Sequence, residues 1–363
     1  MSDLVFPESS SPVTALPSSD IAMLTRASLP EPCTDIVPDG DVILELSPTE
    51  RFLVYSQVLC AASSIFNRML SSGSRFSEAV ELRSRASGDK PVVVKLEDDD
   101  SATLLIVLRV LHYQIKTVPQ KLSVEQMVQV AIICDKYFLH ESLQLMANTW
   151  IGSSWSEKQE QLEYWLLISW IFGPETIFTE VSRSLILEAS EDTQKGFVIG
   201  PERRELPESV PAALIERLAS SREKCMNAIR AEIDGLECKY LRDDWESNPQ
   251  CSEKLKQCDA LQLGLIYRSV LVSGAATWSG SVNAIVEVVQ KCVVLEYENS
   301  PAPSSNLYCL NCGRQSNPPT GSGKKQHTSA KCSWVPKLKT KMEEILRDVE
   351  GLKFSEFPSR AWG

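Results

Sequence analysis

The apolar positions between residues 41 and 55 fall in two short runs typical of β-strands. Residues 41–46 and 51–55 are two runs rich in β-branched and aromatic side chains, separated by Ser47, Pro48 and Thr49. Turn-forming residues between two such runs predict a hairpin. Residues 91–96 repeat the β-rich composition and predict a third strand.

The period then changes to that of helices. Apolar residues from Val58 to Leu70 recur at helical spacing, and a second apolar helix is expected at about residues 102–113. The acidic run at 97–100 precedes that helix, and we interpret it as a solvated helix cap in preference to a metal site. Ser123 and Gln126 form a capping-box pattern that opens another helix, and a short helix at 143–150 follows.

This order of elements predicts an α+β domain over residues 36–152, with a small sheet joined by hairpin links and a helical cluster. Residues 1–35 are rich in Ser and Pro and are predicted to be disordered. Apolar stripes at 160–172, 209–240, 258–275, 281–294 and 338–349 predict that the rest is mainly helical. We divide it into a helical domain at 153–298 and a basic tail with a terminal helix at 299–363.

Charge limits the partners that this chain can bind. The net charge is −11, which disfavours nucleic acid and anionic membranes, although residues 301–363 carry ten Lys or Arg against five Asp or Glu. No signal peptide is apparent, and no apolar run is long enough to span a bilayer. We therefore expect a protein of the cytoplasm or nucleus, and we interpret most of its eleven cysteines as reduced thiols.

Catalytic motifs are scarce. The chain has three histidines, and it lacks both the Gly-x-Ser-x-Gly and His-Glu-x-x-His patterns. The segment 320–325 resembles a phosphate-binding loop, but Pro318 stands where the first glycine belongs and Lys325 where the hydroxyl belongs. We expect a protein that is not an enzyme.

One set of residues has the spacing of metal ligands. Cys309 and Cys312 form a Cys-x2-Cys pair, and His327 and Cys332 follow with four residues between them. The loop between the pairs has no hydrophobic core of its own, so a structural zinc could hold it folded. The alternative is that these thiols carry no metal. Cys238, Cys251 and Cys258 are a weaker set because their spacing is wide, and we interpret them as ordinary core or surface thiols.

Several short segments follow one another in a characteristic order and spacing over about residues 36–152. They are Phe52-Leu-Val-Tyr55, Val58-Leu59, Ser63-Ser-Ile-Phe66, Met69-Leu70, Phe76-Ser-Glu78, Val94-Lys-Leu96, Val110-Leu-His-Tyr113 and Ala131-Ile-Ile-Cys-Asp-Lys-Tyr137. In this order and spacing the amino-terminal third resembles a BTB/POZ domain, most like the BTB proteins common in filamentous fungi. Many animal members have His-Lys where this chain has Tyr55-Ser56, and they begin with a dimerising helix that is barely suggested here. The resemblance therefore gives little support for homodimerisation.

The resemblance also implies a partner. Cullin-binding members carry an apolar residue, any residue and a glutamate before the third strand, and Phe76-Ser77-Glu78 fits that pattern. An exposed aromatic beside a carboxylate is a common arrangement at protein interfaces. The alternative is that Phe76 packs on its own domain.

Together these features predict a non-enzymatic protein-interaction module, and the resemblance implies a substrate-recruiting adaptor for a cullin-type ubiquitin ligase. A second hypothesis is a nuclear transcription-associated factor with a zinc-bearing basic tail. An enzyme hidden in the helical region is the third.

Overall fold

A computed structural model describes residues 33–86, 88–96, 98–156, 160–192, 194–244, 247–272, 280–294 and 329–357. These residues form a mixed α and β structure with two small sheets and many helices. The predicted α+β class is therefore confirmed. Cys309, Cys312 and His327 lie outside the described residues.

The first sheet has four strands in the order β1-β3-β2-β4. Their bounds are β1 (Thr34–Asp35), β2 (Val42–Ser47), β3 (Glu50–Val54) and β4 (Val92–Lys95). β2 and β3 form the predicted antiparallel hairpin, with Leu44 opposite Phe52. The prediction of hairpin links alone was wrong, because β4 runs parallel to β2 and β1 runs parallel to β3. β1 also lies in the segment that was predicted to be disordered.

Helices cover this sheet and join its strands. They are α1 (Ser56–Ala62), α2 (Ser64–Leu70), α3 (Ser77–Ser84), α4 (Ser101–Leu111), α5 (Val124–Tyr137) and α6 (His140–Ser154). The single helix expected from Val58 to Leu70 is broken at Ser63, which has an extended backbone. The Ser63 hydroxyl caps α2 by accepting a hydrogen bond from the Phe66 amide. α3 lies before β4 in a segment where no helix was predicted, since its short, mostly exposed sequence has no clear apolar stripe.

Two predicted helix caps are present. The Asp100 carboxylate accepts a hydrogen bond from the Thr103 amide at the start of α4, so this part of the acidic run acts as a cap. Ser123 and Gln126 form a reciprocal capping box at the start of α5. Both local interpretations of the sequence are confirmed.

The described residues after α6 are mainly helical, as predicted, but they include a second sheet. The helices are α7 (Leu162–Phe172), α8 (Glu175–Glu188), α9 (Ala212–Tyr240), α10 (Lys256–Ile266), α11 (Val282–Gln290) and α12 (Val335–Asp348). The strands β5 (Ala189–Asp192), β6 (Gly196–Ile199) and β7 (Arg204–Glu205) form an antiparallel sheet that the sequence analysis missed. None of the described helices is both long and apolar enough to cross a membrane.

Buried apolar side chains form two clusters. The first runs from the four-stranded sheet through α4–α8 to the start of α9. The second joins the remainder of α9 to α10, α11 and α12. α5 and α7 both contribute to the first cluster, so core residues lie on both sides of the domain boundary proposed at residue 152. That boundary stays a prediction.

The carboxyl-terminal end of α12 is bound to α8. Arg183 donates hydrogen bonds to the Leu346 and Val349 carbonyls, both near the end of α12, at 2.9 Å. Carbonyls at a helix terminus have no partner within the helix, so the guanidinium supplies one. Gly351 then passes so close to α8 that an added Cβ would lie 1.8 Å from the Thr179 carbonyl oxygen.

Phe66 provides a test of the first core. Its side chain is 1% exposed and stacks on Tyr137 with ring centroids 4.7 Å apart. We expect Phe66→Ala to lower the free energy of unfolding by about 3 to 5 kcal/mol, because the truncated side chain leaves a cavity. Chemical denaturation measures this value. Leu145→Ala is the control, since Leu145 is 79% exposed; equal stability of the two variants would contradict the core assignment.

Gly351 tests the contact between α8 and the segment after α12. Gly351→Ala should destabilise the protein by about 1 to 3 kcal/mol, because either Thr179 or the segment must shift. Gly235→Ala is a matched control within α9, where an added Cβ meets no atom within 4 Å. That control should stabilise by about 0.5 to 1 kcal/mol. Thermal denaturation showing the same sign for both variants would contradict the close approach of Gly351 to Thr179.

Candidate metal centre

Three cysteine thiols meet in the second half of the chain. The Sγ atoms of Cys251, Cys258 and Cys332 all lie within 4.8 Å of one another, and those of Cys251 and Cys332 are 3.7 Å apart. Cys251 and Cys258 are buried, whereas Cys332 is partly exposed. We call these three residues the cysteine cluster. Within the described ranges it is the one group of Cys, His, Asp or Glu side chains with spacing suited to a metal ion.

A tight turn brings the first two thiols together. Lys254 adopts a left-handed conformation with φ of 56°, and its amide donates to the Cys251 carbonyl. The Cys258 amide then donates to the Leu255 carbonyl at the start of α10. The chain therefore reverses between the two cysteines, and Cys258 enters the first turn of α10 beside Cys251.

Asp259 holds the other side of this turn. Its Oδ2 accepts a hydrogen bond from the Gln250 amide at 2.5 Å, which restrains the backbone immediately before Cys251. The Asp259 side chain is buried, and its Oδ1 has no hydrogen-bond partner among the described atoms. The bond to Gln250 positions the loop, and the second oxygen of Asp259 leaves a buried polar atom, without a partner in the described part of the chain, next to Cys258 in the sequence.

Cys332 reaches the cluster from a remote part of the sequence. It ends a short 3-10 helix, Ser329–Cys332, that immediately precedes α12. The Trp334 indole donates to the Gln262 carbonyl of α10 at 3.2 Å, which fixes this segment against α10. The Ser252 hydroxyl lies 3.6 Å from the Cys332 sulfur. The cluster thus joins the loop before α10 to the segment before α12.

Burial and neighbouring groups change the acidity of side chains around the cluster. Burial, followed by the charges of Cys251 and Cys332, raises the pKa of Cys258. Burial also acts to raise the pKa of Cys332, but hydrogen bonds from Ser252 and the other two cysteines outweigh it, and that pKa is lowered. Burial and the nearby acidic groups, Asp259 first, raise the pKa of Tyr240 to about 12. A thiolate at Cys332 is therefore favoured by its hydrogen-bond partners, whereas a further thiolate at Cys258 is unfavourable without a cation.

Of the four predicted zinc ligands, Cys332 alone is among the residues that the structure describes. Cys332 is described, but it lies beside Cys251 and Cys258, which the sequence analysis interpreted as ordinary thiols. Whether Cys309, Cys312 and His327 approach them falls outside the described residues. The Cys-x6-Cys spacing was the one available sequence signal, and it is too wide to stand out without the turn at Lys254.

The predicted partner-binding residues lie at the start of α3. Phe76 directly precedes α3, and 58% of its side chain is exposed. Glu78 lies in the first turn of α3 and is partly exposed. This placement leaves the Phe76 ring accessible to solvent.

His112 has a structural role at the end of α4. Its Nε2 accepts a hydrogen bond from the Tyr55 amide, and its Nδ1 therefore carries the proton that it donates to the Leu108 carbonyl. Both ring nitrogens are occupied by backbone groups. Burial lowers the pKa of His112, while the bond to Leu108 acts in the opposite direction.

No family model matches this sequence, and no curated protein is detectably similar to it. The BTB/POZ resemblance stays a prediction based on the order of short sequence segments.

The lowered pKa of His112 predicts how stability depends on pH. As the pH falls, the unfolded chain takes up a proton near the ordinary histidine pKa of about 6.5, before the folded protein does. The contribution of neutral His112 is therefore present above that pH and is lost as the pH falls toward the lowered pKa. We expect the difference in unfolding free energy between wild type and His112→Gln to shrink from about pH 7.5 to about pH 5. Denaturation at each pH measures it, and a constant difference would contradict the assignment.

Proposed function

We propose that this chain is a non-enzymatic protein-interaction adaptor that binds a cullin-type ubiquitin-ligase scaffold through Phe76 and Glu78. The observation that supports the proposal is the exposure of Phe76 on the surface of the amino-terminal domain. A large aromatic ring that is left mostly in water is available as an anchor for a partner. Its position next to a glutamate agrees with the cullin-binding pattern that the sequence resembles.

The backbone next to Phe76 is restrained before any partner binds. Arg83 of α3 donates hydrogen bonds to the Ser72 and Ser74 carbonyls at 2.6 and 2.7 Å. The Phe76 amide in turn donates to the Ser74 hydroxyl. An anchor held in this way loses less conformational entropy on binding than one in a mobile loop.

The neighbouring side chains extend the same surface. Val80 lies one helical turn after Phe76, its amide donates to the Phe76 carbonyl, and 48% of its side chain is exposed. Phe76 and Val80 are thus two exposed apolar side chains at the start of α3. The Ser77 hydroxyl donates to the Glu78 carboxylate at 2.9 Å and restrains it between them in the sequence. The surface offers apolar contact area together with one oriented negative charge.

A binding role agrees with the chemistry of the described residues. The occupied ring nitrogens of His112 argue against its use as a general base. We also propose that the cofactor is one structural zinc ion at the cysteine cluster, since two of the three thiols are buried and poorly placed to meet a substrate. We place the protein in the cytoplasm or nucleus, where cysteines stay reduced.

The double substitution Phe76→Ala, Glu78→Ala tests the adaptor function. Purified full-length chain should bind a purified cullin scaffold, and the double variant should bind at least about tenfold more weakly, the effect of losing one interface anchor. Isothermal titration calorimetry measures both affinities. Leu145→Ala removes an exposed apolar side chain from α6 and should bind like wild type.

Two results would contradict this proposal. One is the absence of binding by the wild-type chain, and the other is equal affinity of the double variant and the wild type. Circular dichroism of each variant provides the folding control. If the double variant unfolds, Phe76 belongs to the core of its own domain, and the proposed interface is wrong.

A further inference from the structure

We infer that Cys251, Cys258 and Cys332 supply three thiolate ligands to one zinc centre that fastens the segment before α12 to the loop between α9 and α10. The inference rests on the structural zinc proposed above and specifies its ligands and its mechanical role. It replaces the pair Cys309 and Cys312 with Cys251 and Cys258 as partners of Cys332.

The distance between sulfurs agrees with tetrahedral zinc. Thiolates bind zinc at about 2.3 Å, which places two ligands of a regular tetrahedron about 3.8 Å apart. Cys251 and Cys332 have their sulfurs 3.7 Å apart, and Cys258 lies within 4.8 Å of both. These side chains can therefore reach a common ion with small rotations.

The surroundings are more polar than those of ordinary core thiols. Asp259 is 4% exposed and Gln262 is 1% exposed; among the described residues, one carboxylate oxygen of Asp259 and both side-chain amide atoms of Gln262 have no hydrogen-bond partner. Gln262 follows Cys258 by one helical turn, so both project from the same face of α10. Buried polar groups without partners commonly mark a missing water or ion. Three thiols that were only hydrophobic core residues would not need buried polar side chains such as Asp259 and Gln262 beside them.

The donor type selects the class of metal. Thiolate sulfur is a soft ligand, and a tetrahedral arrangement of thiolates favours zinc over magnesium or calcium, which prefer oxygen. A divalent cation would also offset the repulsion among three thiolates that are partly withdrawn from water.

A metal here would connect chain segments that are far apart in sequence. Cys332 follows Cys258 by 74 residues, so their meeting closes a long loop. Directly after Cys332, Trp334 and Leu338 are buried in the second core. Zinc would therefore hold the start of α12 in place, while Arg183 holds its end.

The first experiment measures zinc bound to the full-length protein, purified with reductant and without chelator. Mass spectrometry of the metal content should find one zinc per wild-type chain. Cys251→Ser, Cys258→Ser and Cys332→Ser should each lose it. Cys238→Ser and Cys292→Ser should keep it, because Cys238 is an exposed thiol of α9 and Cys292 is a buried thiol that does not belong to the cluster.

The outcomes distinguish two questions: whether the protein binds zinc, and which cysteines bind it. Wild-type protein without zinc would contradict both the structural zinc and the inference. Zinc that is retained by Cys251→Ser and Cys258→Ser, but lost on changing Cys309 and Cys312 to Ser, would overturn the ligand set and leave the structural zinc standing.

A second measurement uses wild-type protein and so does not depend on variants that fold. Thiol alkylation is mapped by peptide mass spectrometry before and after chelation of the metal. We expect Cys251, Cys258 and Cys332 to be protected until the chelator is added, while the labelling of Cys238 is unchanged. Protection of Cys309 and Cys312 without protection of Cys251 and Cys258 would overturn the inference.

Discussion

The packing of both cores on α9 is the constraint on which the rest of the structure depends. α9 is 29 residues long; Leu214 and Leu218 near its start belong to the first core, and Ile229 and Ile233 belong to the second. Between them lies Arg222, which is 3% exposed and donates hydrogen bonds to the Ala189 and Gly280 carbonyls. The apolar stripe of one helix thus organises the amino-terminal α+β region and the carboxyl-terminal helices.

The second core has to be closed by segments that are distant along the chain. α10 follows α9 after a loop, whereas α12 follows α11 only after the long segment that contains Cys309, Cys312 and His327. Ordering such a connection costs entropy, so contacts at both ends of α12 matter. Arg183 and Gly351 fix the end of α12, and Trp334 fixes its start next to the cysteine cluster. A structural zinc at that point would add a strong restraint to the start of the helix.

Sequence reasoning succeeded where structure is decided locally. The caps formed by Asp100 and Ser123 depend on residues three positions apart, and the stripe of α9 repeats over many turns. It failed for short or weakly patterned elements, such as the strands β5–β7 and the helix α3, which leave little periodic signal. It also failed where remote segments pair, as β4 does with β2. The cysteine cluster depends on remote segments in the same way, because nothing in the sequence next to Cys332 points to Cys251.

The most direct test of the proposed metal centre is anomalous X-ray scattering at the zinc edge from crystals of the wild-type chain. We expect one zinc peak at about 2.3 Å from the Sγ atoms of Cys251, Cys258 and Cys332. A crystal with no zinc peak, or one with zinc bound elsewhere while these three thiols have no metal, would contradict it.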